Sequence, residues 1–255
     1  MTLVLCHCVH RRLLDLPRLR QVRAAVLAQG GDVVDVGDLC AAAAHGAGPL
    51  VAPLTEAGVA LCGCHVRALQ ALARRLLGHC PSSLRAIDLR ESDDAAVLAA
   101  LGLSAFAVAL PAEPVLLPTE DAWYPLIDAD RCTNCGSCQA FCLFGVYARE
   151  AGGAVRVGAP LNCKTDCPAC ARICPANAII FPKSTDPAID GALRTPEQLQ
   201  GARLRLDPKE VFGGDLRAKL AARRAAAAVP LFRPGVFAAP TADPATEPDA
   251  GGSVQ

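Results

Sequence analysis

The sequence lacks a long hydrophobic run, a net charge and a nucleotide-binding glycine motif, and each absence argues against one class of protein. Although 52% of the 255 residues are hydrophobic and mean hydropathy is +0.30, no apolar stretch reaches the roughly 20 residues of a membrane span. We therefore predict no membrane insertion. The 25 basic and 25 acidic residues cancel, so we predict no nucleic-acid partner. No predicted strand is followed by GxGxxG, so bound flavin or nicotinamide has no support.

The start of the chain does not have the order of a secretory signal. A short apolar segment precedes His10, Arg11 and Arg12, whereas a signal peptide places its basic residues before its apolar ones. We therefore expect a cytoplasmic protein. The 14 cysteines then indicate metal or cluster ligation rather than disulfides, because the cytosol keeps thiols reduced.

Residues 1–110 alternate short apolar runs with longer helical patterns, which is typical of βαβ units around a parallel sheet. Apolar residues recur at three- and four-residue intervals in Leu16 to Gln29 and in Val66 to Leu77, which predicts two helices. The predicted strands are Leu3 to Leu5, Val33 to Val36, Val59 to Leu61, Arg85 to Leu89 and Phe106 to Ala109. The sequence thus predicts an α/β N-terminal domain, a parallel sheet with helices.

The remainder of the chain divides into three further segments after a linker. Residues 111–121 contain three prolines and no periodic pattern, which indicates a semi-rigid linker. Residues 122–183 form a small α+β domain, followed by a C-terminal extension at 184–237. A helix is predicted near 215–228 within this extension, because Asp215 can cap it and Pro230 can stop it. The composition of residues 238–255 predicts a disordered tail.

Two cysteine runs dominate the α+β domain. The runs are Cys132-x2-Cys135-x2-Cys138-x3-Cys142 and Cys163-x3-Cys167-x2-Cys170-x3-Cys174-Pro175. The segment that begins at Cys138 aligns with the segment that begins at Cys170, so the two halves form an internal repeat. Closely spaced cysteines supply three thiolates for a cubane cluster, and a fourth comes from farther along the chain.

This domain resembles the bacterial-type two-4Fe-4S ferredoxin domain over about residues 122–183. In that family the fourth cysteine of each run ligates the other cluster. Two positions depart from the family pattern: Leu143 stands where a proline is usual, and three residues rather than two separate Cys163 from Cys167. The resemblance implies one 4Fe-4S cluster at Cys132, Cys135, Cys138 and Cys174, and a second at Cys142, Cys163, Cys167 and Cys170.

Six further cysteines lie in the N-terminal domain, and five of them follow predicted strands. Loops after the strands of an open parallel sheet share one edge, where ligands bind. The cysteines are Cys6, Cys8, Cys40, Cys62, Cys64 and Cys80, and the nearby histidines are His7, His10, His65 and His79. Two interpretations stay open: a third cluster or metal site at Cys6, Cys40, Cys62 and Cys64, or cysteines that serve as small buried hydrophobic residues.

The N-terminal region also resembles the corresponding region of heterodisulfide reductase, in its A-type polypeptide. The resemblance rests on Val4 to Cys8, on the strand that ends before Cys40, and on Ala60 to Arg67. It implies a redox partner domain. A dithiol role for Cys62 and Cys64 is disfavoured, because a single intervening residue strains a disulfide.

The sequence therefore predicts electron transfer through two 4Fe-4S clusters, by a ferredoxin-like subunit or partner of an oxidoreductase that works with redox proteins. One alternative is a redox enzyme whose N-terminal domain carries a third cluster or reactive thiols, fed by the ferredoxin-like domain. Another is a zinc-binding interaction module. The cluster region offers no nucleophile and base pair for turnover, so we favour an electron carrier or one component of an oxidoreductase over a stand-alone enzyme.

Overall fold

We analysed a computed structural model that describes residues 1–46, 48–106, 111–116 and 118–195, together with Ala218 and Ala222. The predicted strand at 106–109, the predicted helix near 215–228 and the predicted tail at 238–255 lie outside the described residues, apart from Phe106, Ala218 and Ala222. Across the described ranges, no helix combines the length and the apolar composition that a membrane span requires.

The N-terminal part of the chain forms a four-stranded parallel sheet in the order β2-β1-β3-β4. The central strands β1 and β3 are almost fully buried, as expected of parallel strands that are covered on both faces. The prediction of an α/β fold with a parallel sheet is confirmed. The strands are β1 (Thr2–Cys6), β2 (Asp32–Val36), β3 (Ala60–Gly63) and β4 (Arg85–Asp88).

Helices flank this sheet, and their ends follow from capping residues. Asp15 accepts a hydrogen bond from the Arg18 N–H at the start of the first helix, at 3.3 Å. The fourth helix ends at Leu77, and the capping Gly78 that follows it has a φ of +79°, which favours glycine. The first and fourth helices confirm the predicted ones, whereas the other three were not predicted. The helices are α1 (Leu16–Ala28), α2 (Leu39–His45), α3 (Gly48–Thr55), α4 (Val66–Leu77) and α5 (Asp94–Leu101).

The cysteine-rich part is built from much shorter elements. Strand β5 pairs antiparallel with β8, and β6 pairs antiparallel with β7. The strands are β5 (Leu126–Ile127), β6 (Tyr147–Arg149), β7 (Val155–Val157) and β8 (Ile179–Ile180), and the helices are α6 (Ser137–Phe141) and α7 (Ala169–Arg172), with a 3-10 turn at Pro160–Asn162. This is a small α+β arrangement in which loops that carry cysteines make up much of the chain.

The N-terminal sheet and the cysteine-rich part pack on one continuous core. The Arg67 guanidinium of α4 donates to the Asp128 carboxylate at 2.8 Å and to the Asn177 carbonyl at 3.0 Å. Gly191 has φ +100°, and a Cβ there would lie 3.0 Å from the Ala68 Cβ, so only glycine allows this close approach. The predicted domain limits at residues 110, 121 and 183 stay predictions, because both parts contribute to the shared core.

Candidate metal centres

Four cysteines from both runs line one cavity, which we call the first thiol site: Cys132, Cys135, Cys138 and Cys174. Burial raises the pKa of the Cys138 thiol to about 12, and the other three thiols of the site add to the rise. The Ala178 N–H donates to Cys174 Sγ at 3.3 Å. The chain therefore brings the last cysteine of the second run to the first three of the first run, which is the grouping that the resemblance implied.

The other four cysteines line a larger cavity of about 370 Å³, the second thiol site: Cys142, Cys163, Cys167 and Cys170. Burial raises the pKa of the Cys163 and Cys170 thiols to about 12 each, and Cys142 raises both further. The Cys138 thiol of the first site also raises the pKa of Cys170. The two thiol sites therefore adjoin.

Left-handed turns direct these thiols into the cavities. Asn134, Gly136 and Asp166 lie between cysteines and have φ of 53°, 76° and 57°, a conformation that Asn, Asp and Gly adopt more readily than other residues. The extra residue between Cys163 and Cys167 is taken up in such a turn, in which the Cys167 N–H donates to the Lys164 carbonyl at 3.1 Å. The unusual spacing therefore still delivers both thiols to one cavity.

The spacing of the sulfur atoms fits a cluster better than a single ion. A tetrahedral zinc ion with Zn–S bonds of about 2.3 Å holds its sulfurs about 3.8 Å apart. Within the described ranges, the only group of three or more ligand atoms that all lie within 4.8 Å of one another is His65, Glu91 and Asp190. No three cysteine sulfurs in those ranges are that close, whereas a cubane spreads four thiolates over four irons. None of the 14 cysteines is in a disulfide.

A buried tyrosine gives a second test of fit. The Tyr147 hydroxyl is buried beside the Cys170 thiol, and burial together with that thiol raises the pKa of Tyr147. The hydroxyl in turn lowers the pKa of the Cys170 thiol. A deprotonated, metal-bound Cys170 sulfur would be a stronger acceptor for this hydroxyl than a neutral thiol. The second thiol site is therefore suited to a thiolate at this position.

Four N-terminal thiols also converge, at the carboxyl edge of the parallel sheet, and we call them the N-terminal thiol group: Cys6, Cys8, Cys40 and Cys64. All four are buried. Burial raises the pKa of Cys6 to about 12, and Cys8 adds to the rise. Burial likewise raises the pKa of Cys40 and of Cys64, and the Cys6 thiol raises both further. This group differs from the predicted set by one member.

Cys62 lies apart from this group, although the sequence-based prediction placed it with Cys6, Cys40 and Cys64. Strand β3 pairs Cys62 with Leu5 of β1, and side chains alternate between the two faces of a sheet. Cys62 therefore points to the face opposite Cys6. Burial raises the pKa of the Cys62 thiol, and the charge of Arg85 offsets part of this rise. No thiol contributes to the shift. Period-two alternation could have revealed this from the sequence, and the position of Cys8 just after the first predicted strand was the signal for Cys8.

The histidines near these loops pair with other groups. His7 Nε2 lies 2.7 Å from the Asp35 carboxylate. His65 lies between two carboxylates, with Nδ1 2.9 Å from Asp88 and Nε2 3.1 Å from Asp190. Burial opposes protonation of His65, but the hydrogen bonds to Asp190 and Asp88 prevail and raise its pKa to about 9. These histidines hold the loops rather than lie within the thiol sites. His10 bonds to Thr119, and His79 lies near the Leu77 carbonyl.

The family match concerns the cysteine-rich part, and a second comparison gives one relative. Residues 124–175 match the 4Fe-4S dicluster domain family, a range that includes all eight cysteines of the first and second thiol sites. This chain contains a ferredoxin-type domain. A stretch of 67 residues is 48% identical to an uncharacterized ferredoxin of Methanocaldococcus jannaschii, over 26% of this chain and 45% of that relative. The chain thus spans less than half of the length of this relative.

These matches support iron–sulfur electron transfer and confirm the predicted ferredoxin resemblance. The family match does not extend to the N-terminal sheet, for which the resemblance to heterodisulfide reductase stays a prediction. The ligand assignments of the eight cysteines also stay predictions, although the grouping of the thiols agrees with them.

Proposed function

We propose that the protein transfers electrons through two 4Fe-4S clusters, as a ferredoxin-like subunit or partner of an oxidoreductase. The observation that carries the proposal is the exchange of cysteines between the two runs. Cys174 lines the cavity of the first run, and Cys142 lines the cavity of the second. Two-cluster ferredoxins share their ligands in this way. When bound, the clusters supply the one-electron chemistry, and the chain holds and shields them.

The surroundings of the thiol sites suit electron transfer rather than turnover. Val146, Ile173 and Ile179 are buried beside the cysteines and limit the access of water, which helps to set the reduction potential of a cluster. The sites adjoin through Cys138 and Cys170. An electron that enters at one site therefore has a short path to the other.

The second thiol site lies next to an apolar part of the surface that supports a protein partner. Leu143 is 89% exposed and Phe144 is 41% exposed, and both line the cavity of this site. Exposed large apolar side chains that lie together often mark interaction sites. We propose that a redox protein docks here, because electron exchange requires the partner to approach a cluster closely.

Metal analysis of cysteine variants tests the proposed function. After anaerobic purification, we expect Cys135→Ser and Cys167→Ser each to lose or convert one cluster, a change of up to about four iron and four sulfide per chain. Cys80→Ser is the matched control, because Cys80 lies outside all three thiol groups and should keep the wild-type content. Full iron in both test variants, or a colourless protein that contains only zinc, would contradict the proposal.

A second candidate is a redox enzyme in which the N-terminal domain acts on a small substrate with electrons from the ferredoxin-type domain. The convergence of Cys6, Cys8, Cys40 and Cys64 at a ligand-binding edge favours it. Reoxidation of the dithionite-reduced protein separates the two candidates. A carrier reoxidises only with a protein or an artificial acceptor, whereas the enzyme also reoxidises with its small substrate.

A further inference from the structure

The N-terminal thiol group lies where the order of the sheet changes direction. From β1 the chain proceeds to β2 on one side and then to β3 on the other. A crevice opens beyond the carboxyl ends of two such strands, and ligands of open α/β sheets bind there. Cys6 is the last residue of β1, and Cys64 directly follows β3. Cys40 reaches the same edge from the first turn of α2.

The strand beside Cys6 has a glycine where a larger residue would crowd the Cys6 side chain. Gly63 lies on the same face of the sheet as Cys6, and a Cβ at Gly63 would lie 3.1 Å from the Cys6 Cβ and 3.2 Å from the Leu69 Cδ2. Contacts that close require the neighbouring atoms to shift. A glycine at this position therefore preserves the space around the Cys6 side chain.

Main-chain amides face two of the sulfurs. The Leu39 N–H donates to Cys6 Sγ at 3.4 Å, and the main-chain amides of Leu13 and Arg11 lower the pKa of the Cys8 thiol, against the opposing effect of burial. Cys8 itself has φ +48°, a conformation that costs a non-glycine residue energy. Amide donors of this kind stabilise thiolates and tune metal clusters. The loop therefore holds a strained conformation that presents donors to sulfur.

If the four thiols are deprotonated, the charges around the group fit a cationic occupant. Lys183 is buried, and its Nζ lies 2.8 Å from the Asp38 carboxylate. The Arg90 guanidinium lowers the pKa of the Cys64 thiol, but the same guanidinium also lies 3.9 Å from the Asp190 carboxylate. Four buried thiolates would exceed the positive charge that these two side chains offer, and uncompensated buried charge is costly. A metal core would offset the remainder.

The same group lies beside the second thiol site. The Trp123 indole N–H donates to the Cys167 carbonyl at 3.5 Å, and the hydroxyl of the next residue, Tyr124, donates to the Cys40 carbonyl at 2.9 Å. Two consecutive residues thus link a cysteine of the second site to a cysteine of the N-terminal group. As in the other two sites, no three sulfurs of the described cysteines lie close enough for one zinc ion.

We propose that Cys6, Cys8, Cys40 and Cys64 hold a third iron–sulfur cluster, placed beside the second thiol site. The proposed ligands differ from those predicted from the sequence in one residue, because Cys8 takes the place of Cys62. It does not depend on the proposed docking surface or on the identity of the redox partner. Its occupant belongs to the same chemical class as the clusters of the ferredoxin-type domain.

The decisive comparison is between Cys8→Ser and Cys62→Ser in the full-length chain after anaerobic purification. Both change one buried N-terminal thiol in the same way, but only Cys8 belongs to the proposed site. We expect about twelve iron and twelve sulfide per chain in the wild type and in Cys62→Ser, and about eight of each in Cys8→Ser. Equal metal contents in the two variants, or a loss in Cys62→Ser alone, would overturn the assignment.

Zinc analysis and a second variant complete the test. If Cys8→Ser loses about one zinc and no iron, the site binds a single ion and the proposed cluster is wrong. Cys64→Ser should reproduce the loss seen with Cys8→Ser, and unchanged iron at the ferredoxin-type domain shows that each variant has folded. Cys135→Ser and Cys167→Ser report on the first and second sites independently, so failure of the ferredoxin proposal and failure of the third site give different patterns of iron loss.

Discussion

The Tyr124 hydroxyl donates a hydrogen bond to the main-chain carbonyl of Cys40 at 2.9 Å. Tyr124 belongs to the ferredoxin-type domain, and Cys40 follows a strand of the N-terminal sheet. The Arg75 guanidinium lies 5.4 Å from the centroid of the Tyr124 ring, which adds a cation–π contact to the same junction. The two parts of the chain are therefore joined at the segments that carry their thiols.

Replacing Tyr147 by phenylalanine should lower the reduction potential of the second site. The Tyr147 hydroxyl is buried beside Cys170, and a donor to a thiolate stabilises the more negative, reduced state. Loss of one hydrogen bond worth about 1 kcal/mol corresponds to a shift on the order of 40 mV for a one-electron couple. A potentiometric titration followed by electron paramagnetic resonance measures the shift.

Tyr124→Phe is the matched control for this experiment, because it removes a buried hydroxyl that bonds to Cys40 rather than to Cys170. It should leave the potential of the second site unchanged. Equal potentials for wild type and Tyr147→Phe would show that the hydroxyl does not donate to the sulfur.

Substitution of Arg67 should destabilise the junction between the two parts. Arg67 is largely buried and pairs with Asp128 at 2.8 Å, so Arg67→Gln removes the nearer of the two guanidinium partners of a buried carboxylate, the other being Arg131 at 3.7 Å. We expect a loss of about 3 kcal/mol in the free energy of unfolding. Arg74→Gln is the control, because Arg74 is more exposed and lies 3.6 Å from Asp130, and it should cost less than about 1 kcal/mol. Denaturant titration compares them, and equal losses would contradict this ranking.

The stability of the protein should fall as the pH rises towards 9. The pKa of His65 is raised to about 9 by its hydrogen bonds to Asp190 and Asp88, against the opposing effect of burial. Its contribution is therefore complete below the unfolded pKa of about 6.5 and is lost as the pH rises through the folded pKa. Thermal unfolding of wild type and Asp190→Asn between about pH 6 and pH 10 tests this. The difference in stability between the two proteins should change between the unfolded and the folded pKa of His65.

Asp190→Asn should reduce stability by on the order of 2 kcal/mol at neutral pH and by less at the alkaline end of this range, since neutral His65 gains less from the carboxylate. A loss that does not change with pH would show that His65 does not titrate with a raised pKa in the folded protein within this range.

Adding a methyl group at Gly63 should disturb the N-terminal thiol group. In Gly63→Ala the new Cβ would lie 3.1 Å from the Cys6 Cβ, and such overpacking costs about 1 to 3 kcal/mol. We expect iron bound by the N-terminal thiol group to fall in this variant. Gly152→Ala is the control, because no atom lies within 4 Å of its added Cβ. Iron analysis and unfolding curves measure both effects, and identical results for the two variants would rule out crowding at Cys6.

Local patterns in the sequence determined the parallel sheet, two of its helices and the eight cysteines of the ferredoxin-type domain, because periodicity and short spacings act between residues that are close in the chain. The tertiary structure decided which N-terminal thiols meet. Cys8 joins the group through a left-handed turn, while the alternation of β3 turns Cys62 to the other face. It also decided the contact between His65 and Asp190, which are 125 positions apart. Such contacts depend on how whole elements pack, and no local pattern records that.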